Sequence, residues 1–244
     1  MGYYERPEGE SVIPDTISYL TAVILDMDGL MVDSEPLSAN VWRAVLRDLG
    51  HALDDETLAR MVGRRTSESA QIVLERFPLP LSGPELAARK SAYWQKVWQN
   101  GVPPRPGLFS FLEALAARNL PWAVATSSPH TYAASVLRQL SLAQRCGALA
   151  CGDEVQHGKP APDVYLLAAE RLQVAPTHCL ALEDSTPGAR AAQAAGMTVV
   201  AIPSGATSGA DFAFAGYLFG SLAEVVPRLD AILSGVGNNT SDTN

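Results

Sequence analysis

The chain has 244 residues, of which 47% are hydrophobic, enough for a sizeable core in one large domain or two smaller ones. Its formal net charge is −8, from 18 basic and 26 acidic residues. It contains no basic run, so the charge pattern argues against a nucleic-acid-binding surface.

The cysteines and the N-terminal residues indicate the compartment. Cys146, Cys151 and Cys179 form neither an even framework nor a C-x-x-C pair, which is typical of reduced thiols. Residues 1–18 carry charge, Pro and Gly where a signal peptide is apolar, and no run of about 18 apolar residues occurs. The sequence therefore predicts a cytoplasmic protein without a membrane span, with mobile tails at 1–18 and 236–244.

Short apolar runs, each typical of a buried strand, recur along the chain and alternate with helical patterns. The runs are 21–25, 122–125, 148–151, 179–182 and 198–202, and the helical patterns are 107–119, 163–172 and 186–195. Strands that are continuously apolar and separated by helices predict an α/β fold with a parallel sheet covered on both faces.

The interval from residue 34 to 104 interrupts this alternation. It contains helical patterns at 36–49, 56–62, 67–77 and 84–99 and no convincing strand. The chain is therefore expected to leave the sheet after one strand, build a helical domain and return. We predict an α/β core from 19–33 and 105–235, with an all-helical insert at 34–104.

Polar side chains follow several of the predicted strands. In open parallel sheets ligands bind beyond the carboxyl ends of the strands, so these positions are candidate site residues. They are Asp26 and Asp28 after the first run, Thr126, Ser127 and Ser128 after the second, Lys159 in the loop after the third, and Glu183 and Asp184 after the fourth.

So many carboxylates at one edge predict a bound cation. Two like charges about 4 Å apart cost about 1 kcal/mol in water and about 4 kcal/mol at an effective dielectric near 20. One lysine, Lys159, cannot offset several such pairs. Hard oxygen ligands with room for water and phosphate suit Mg²⁺, which would also neutralise an incoming phosphoryl group.

Each feature alone has a structural explanation. An Asp after a strand is often a turn residue or a helix N-cap, a D-x-D pair is a weak signal, and Lys159 alone would be a solvated loop residue. It is the combination of four polar groups at four strand ends that favours a functional site.

Four segments resemble the motifs of the haloacid dehalogenase superfamily, in its phosphatase and β-phosphoglucomutase branch. They are DMDGLMVDSE, ATSS, GKPAPDVY and LEDSTPGARAAQAAGM, within a match from about Ala22 to Ile202. The resemblance implies a Rossmann-like core with a helical cap inserted after the first strand, and a Mg²⁺-dependent phosphatase.

The resemblance also implies a role for each matching residue. Asp26 would be the nucleophile that forms an aspartyl phosphate, and Asp28 the general acid and base. The phosphate would be bound by Thr126, Ser127 and Lys159. Mg²⁺ would be held by Asp26, the carbonyl of Asp28 and Asp184, with Glu183 as a ligand or just behind the ligands. Candidate substrate contacts are Glu35, Arg64 and Arg65, although the two arginines are equally compatible with a solvated pair.

The expected substrate is a small sugar phosphate or nucleoside monophosphate, and the protein is expected to be a monomer or a weak homodimer. A β-phosphoglucomutase-type mutase is the alternative. Mutases of this branch carry a histidine and an arginine where this chain has Ser38 and Thr66, which argues against that alternative.

Two other functions use similar residues. A signalling receiver module also combines strand-end aspartates with a hydroxyl and a lysine, but such modules are shorter and lack a helical insert. A hydrolytic dehalogenase would share Asp26 but have no use for Asp28 or for a set of metal carboxylates.

Overall fold

The computed structural model describes residues 20–205, 207 and 209–235, and its centre is a parallel six-stranded sheet in the order β3-β2-β1-β4-β5-β6. The strands are β1 (Ala22–Leu25), β2 (Trp122–Ala125), β3 (Ala148–Ala150), β4 (Cys179–Glu183), β5 (Thr198–Ala201) and β6 (Tyr217–Leu218). The first five match the predicted runs. The edge strand β6 was not predicted, because two residues are too few to form a pattern.

Helices cover both faces of the sheet, as expected from its continuously apolar strands. They are α5 (Leu108–Ala116), α6 (His130–Gln139), α7 (Asp163–Leu172), α8 (Thr186–Ala194), α9 (Leu222–Val225) and α10 (Leu229–Leu233). All residues of β1, β2 and β4 are buried, and two hydrophobic clusters fill the space between sheet and helices. The α/β fold class predicted from the sequence is confirmed.

Four helices follow β1 before the chain reaches α5 and returns to the sheet at β2: α1 (Glu35–Asp48), α2 (Asp55–Met61), α3 (Thr66–Arg76) and α4 (Gly83–Trp98). Their starts follow local capping rules: Asp54 accepts a hydrogen bond from Thr57 N, and Ser82 forms a capping box with Glu85. We call this insert, residues 34–104, the cap.

The two segments that join the cap to the core run side by side. Asp33 N donates to Pro103 O and Arg105 N donates to Met31 O, both at 2.8 Å. This pairing supports the proposed cap boundaries at residues 34 and 104.

The cap contacts the core at the edge of the sheet where the strands have their carboxyl ends. Ser127 Oγ donates to Gly63 O at 3.1 Å, and a Cβ on Gly63 would lie 2.6 Å from Ser185 Oγ. Arg65 donates to Val155 O and Gln156 O at 3.0 and 3.2 Å. The cap segment from Gly63 to Arg65 therefore contacts three of the loops that contain candidate site residues.

The predicted tails at 1–18 and 236–244 lie outside the described residues. The cysteines are unpaired, as predicted, with Cys151 and Cys179 buried. Within the described ranges, every helix is too short or too polar to cross a membrane.

Candidate active site

The strand order brings the predicted site residues together. β1 lies between β2 and β4, with Leu25 opposite Val124 on one side and Leu182 on the other. The residues that follow these strands therefore meet at one edge. Asp26, Thr126 and Asp184 are all buried there.

Lys159 is at the centre of this edge. Its Nζ donates to Asp26 Oδ1 at 2.5 Å, to Glu183 Oε1 at 2.6 Å and to Ala125 O at 3.2 Å. Burial alone would lower the pKa of Lys159, but the charges of Asp26 and Glu183 outweigh it and raise that pKa above its usual value. The lysine is therefore a fixed positive charge beside Asp26.

Glu183 already has hydrogen-bond donors on both carboxylate oxygens. Oε1 accepts from Lys159 and from Tyr165 OH at 2.9 Å, and Oε2 accepts from Ser185 N and Oγ at 3.0 Å. Gly188 makes room for it, because a Cβ there would lie 1.6 Å from Oε1. Glu183 was predicted to be either a metal ligand or a residue just behind the ligands. These contacts favour the second role, in which its carboxylate orients Lys159.

Asp184 differs from Glu183 because one of its oxygens is unsatisfied. The residue is 1% exposed, and among the described residues its Oδ2 has no hydrogen-bond partner. Burial, followed by the charges of Glu183 and Asp26, raises the pKa of Asp184 well above its usual value. A buried anionic oxygen without a donor is costly unless a cation meets it.

The acidic cluster has the composition of a divalent-metal site. Asp26, Glu183 and Asp184 each offer an oxygen within 4.8 Å of the others. Burial also raises the pKa of Asp26, although Lys159 opposes this. Hard carboxylate oxygens, one of them without a donor, suit a hard divalent cation.

Asp28 is held by hydroxyl groups. Its Oδ1 accepts from Ser34 Oγ at 2.5 Å and Tyr132 OH at 2.8 Å. Its Oδ2 accepts from Ser128 Oγ at 2.7 Å and, more weakly, from Thr126 Oγ1 at 3.5 Å. Sequence reasoning missed Ser34, which lies within the first motif, and Tyr132, which lies in the unpredicted helix α6.

The two predicted hydroxyl ligands of phosphate have different surroundings. Thr126 is 1% exposed, and its Oγ1 accepts from Ser128 N at 3.1 Å beside Asp28. Ser127 is half-buried, and its Oγ donates to the cap at Gly63 O. Thr126 is therefore part of the strand-end cluster, whereas Ser127 connects it to the cap.

A cleft of about 630 Å³ separates the cap from this edge. Its volume is within the usual range for a small-molecule site. Residues from both domains line it, including Asp26, Asp28, Glu35, Ser38, Trp42, Arg64, Thr66, Lys90, Trp94 and Thr126.

The three predicted substrate contacts are placed differently. Arg64 is an exposed residue that lines the cleft. Glu35 also lines it and accepts from Ser204 Oγ at 2.7 Å; burial raises its pKa. Arg65 instead contacts the core loop at Val155 and Gln156, so the structure places it at the cap–core contact.

Lys90 is a lining residue that sequence reasoning missed. It is 6% exposed, and its Nζ lies 4.9 Å from the ring centroid of Trp94 and 6.0 Å from that of Trp42. Burial lowers the pKa of Lys90 to about 8, with Asp28 acting in the opposite direction. The signal in the sequence was a lysine at the four-residue spacing of buried Leu86 and Trp94 along α4.

Comparison with known proteins gives consistent matches. A family model described as haloacid dehalogenase-like hydrolase matches residues 20–196. The fructose-1-phosphate phosphatase YqaB of Escherichia coli is 36% identical over 178 residues, covering 73% of this chain and 94% of the relative. A Drosophila melanogaster protein named "Probable pseudouridine-5′-phosphatase" is 33% identical over 220 residues, covering 86% and 93%.

A solved structure shares the fold. The β-phosphoglucomutase of Clostridium difficile superposes with a TM-score of 0.78 at 22% identity, covering 88% of this chain and 97% of that one. The family match and the two relatives agree with the resemblance of the four sequence motifs. The chain belongs to the haloacid dehalogenase-like hydrolases.

Proposed function

We propose that this protein is a Mg²⁺-dependent phosphatase that hydrolyses a small phosphorylated metabolite through an aspartyl-phosphate intermediate. The observation that supports this most directly is the buried contact of Asp26 with Lys159, beside Asp184, at the base of the cleft. A carboxylate nucleophile, a fixed cation and an acidic metal site are the groups that phosphoryl transfer requires.

The reaction would proceed in two displacements. A carboxylate oxygen of Asp26 attacks phosphorus, the bond from phosphorus to the ester oxygen breaks, and protonated Asp28 gives its proton to that oxygen. Asp28 then takes a proton from water as the water oxygen attacks the aspartyl phosphate. Inorganic phosphate leaves, and both carboxyl groups return to their starting states.

The charge of Lys159 serves both displacements. It is buried between Asp26 and Glu183, and so is held where negative charge accumulates on the phosphoryl oxygens. Bound Mg²⁺ would supply further neutralisation of that charge. The residues that would hold it are Asp26, Asp184 and the backbone carbonyl of Asp28.

The cleft supports a substrate with a polar, compact leaving group. Lys90 and Arg64 can meet hydroxyl or anionic groups, and the small apolar surface that Trp42 and Trp94 add to the cleft lining can contact a sugar or a base. The names of the two relatives point to the same classes. We propose a sugar phosphate or a nucleoside monophosphate as the substrate.

Cleft composition favours a phosphatase over a mutase. Ser38 and Thr66 both line the cleft, and they stand where the mutase pattern has a histidine and an arginine. The likeness to the C. difficile mutase, at 22% identity, supports the fold alone.

A substrate screen with a nucleophile variant tests the proposal. Fructose 1-phosphate, pseudouridine 5′-phosphate and other phosphorylated metabolites are incubated with Mg²⁺, and released phosphate is measured. We expect release from at least one, and none in multiple turnover by Asp26→Asn, whose amide is nearly isosteric but a poor nucleophile. The surface variant Asp230→Asn is the control. Multiple turnover by pure Asp26→Asn contradicts the proposed nucleophile.

A further inference from the structure

We infer that Tyr132 is a positioning residue that holds Asp28 in place, and that helix α4 of the cap fixes the Tyr132 ring. The inference rests on the proposed function, because it takes Asp28 as the acid and base. It concerns a residue from outside the four family motifs.

The hydroxyl of Tyr132 is committed to Asp28. Tyr132 is 2% exposed, and its OH donates to Asp28 Oδ1 at 2.8 Å. Burial, the charge of Asp28 and this hydrogen bond all raise the pKa of Tyr132, so the phenol remains a neutral donor.

The phenol is a more rigid support than the other donors. Ser34 and Ser128 also donate to Asp28, but a serine hydroxyl can rotate about one bond toward another acceptor. The hydroxyl oxygen of a tyrosine lies in the plane of its ring and moves only with the ring. The position of Asp28 therefore depends on what holds the Tyr132 ring.

Two tryptophans of the cap pack against that ring. The centroid of Trp94 is 5.4 Å away at an interplanar angle of 54°, and that of Trp98 is 5.8 Å away at 69°. Both arrangements are within the favourable range for aromatic pairs. Gln139 Nε2 at the end of α6 also donates to Trp98 O at 3.2 Å, so α6 of the core is joined to α4 of the cap at two points.

These contacts give the cap a second connection to Asp28, besides the hydrogen bond that Ser34, the first residue of the cap, donates to it. The two tryptophans contact the ring of Tyr132 while α4 lies against α6, and the OH of that ring restrains Asp28. Misplacing a catalytic group by about 1 Å can cost about a hundredfold in rate. The cap should therefore affect turnover through Asp28 as well as through substrate binding.

The first experiment removes only the hydroxyl. Tyr132→Phe keeps the ring between Trp94 and Trp98, so we expect unchanged Tm and KM with kcat on fructose 1-phosphate lowered about tenfold to a hundredfold. Tyr217→Phe, on the distant edge strand β6, is the matched control and should behave as wild type. Wild-type kcat in Tyr132→Phe overturns the inference.

Single turnovers with 4-nitrophenyl phosphate separate positioning from general damage. The 4-nitrophenolate ion leaves without needing a proton, whereas hydrolysis of the aspartyl phosphate still needs Asp28 as base. With enzyme in excess, Tyr132→Phe should release 4-nitrophenol at the wild-type rate but inorganic phosphate about tenfold more slowly. Equal slowing of both releases, with a lowered Tm, overturns the inference in favour of a purely structural role.

A double-mutant cycle tests the cap contact. Trp98→Leu should lower kcat in the wild-type background and cause no further loss in Tyr132→Phe, because both changes act through one hydroxyl. If the losses of kcat in the two single variants add fully in the double variant, Trp98 does not act through the Tyr132 hydroxyl and that part of the inference is overturned. Failure of the proposed function would look different: wild type itself would release no phosphate, or Asp28→Asn would retain full activity.

Discussion

Asp184 lies directly against Gly29, so that a Cβ added to Gly29 would be 2.1 Å from Asp184 Oδ2, the oxygen without a hydrogen-bond partner among the described residues. Gly29 also has a φ of +88°, which side chains rarely adopt. The glycine that lets the chain turn out of β1 therefore also makes room for a proposed metal ligand.

Gly29→Ala should displace Asp184 and weaken Mg²⁺ binding. We expect at least a tenfold rise in the Kd for Mg²⁺, measured by calorimetry, and a larger fall in kcat/KM. Gly50→Ala is a matched control, because Gly50 has a φ of +80° with nothing within 4 Å of its added Cβ. Gly50→Ala should lower the free energy of unfolding by about 1–2 kcal/mol, the cost of a side chain at positive φ, and should leave Mg²⁺ affinity unchanged. Equal Mg²⁺ affinity in the two variants would contradict the role of Gly29.

Removal of the metal should abolish activity and lower the stability of the fold. Excess chelator should abolish phosphate release, Mg²⁺ should restore it, and Ca²⁺ should do so poorly because its coordination is looser. Mg²⁺ should also raise Tm at neutral pH, since a ligand bound only by the native state stabilises it.

The thermal shift gives a test that does not depend on turnover. Asp184→Asn should lose most of the increase in Tm caused by Mg²⁺, because it removes a charged ligand from the cluster. Full activity in excess chelator, or an unchanged Mg²⁺-dependent shift in Asp184→Asn, would refute the metal assignment.

Lys90→Met should stabilise the protein at pH 7 while weakening substrate binding. The pKa of Lys90 falls from 10.5 to about 8 on folding, so the folded chain bears a charge that the fold disfavours at every pH below about 8. Each pKa unit corresponds to about 1.4 kcal/mol, so the upper value of this cost is about 3 kcal/mol at pH 7. We expect a higher free energy of unfolding in denaturant and a higher KM.

The advantage of the variant should shrink as the pH rises from about 8 to 10.5. In that window the folded wild type loses the Lys90 proton while the unfolded chain still holds it, so wild-type stability rises relative to Lys90→Met. Lys96→Met, at an exposed position on the same helix, is the control and should change neither stability nor KM. A Lys90→Met protein less stable than wild type at pH 7 would refute this account.

Much of the core of the site could be predicted from the sequence. Residues that follow neighbouring strands of a parallel sheet must meet at one edge. The proximity of Asp26 and Asp184 could therefore be predicted from their positions directly after apolar runs. Whether Glu183 faces a metal could not be predicted. That depends on Tyr165 and Ser185, whose hydroxyls occupy its oxygens only once α7 and α8 are packed.

The missed residues share a physical reason. Lys90 looks like a surface lysine until two tryptophans are known to surround it. Tyr132 lies in α6, where polar residues such as His130 and Arg138 interrupt the apolar pattern. Contacts between the cap and the core depend on tertiary packing, and a pattern within one helix does not encode the partner helix.

The fate of the aspartyl phosphate should distinguish a phosphatase from a mutase. A mutase must protect this intermediate from water until a sugar hydroxyl attacks, whereas Ser38 and Thr66 leave small neutral side chains in the cleft at the mutase-specific positions. We therefore expect steady release of inorganic phosphate without a bisphosphate activator, and little conversion of β-glucose 1-phosphate to glucose 6-phosphate. Phosphorus NMR follows both products in one sample, with a β-phosphoglucomutase as the positive control. If glucose 6-phosphate accumulates much faster than free phosphate, the protein is a mutase and the proposed hydrolysis is a side reaction.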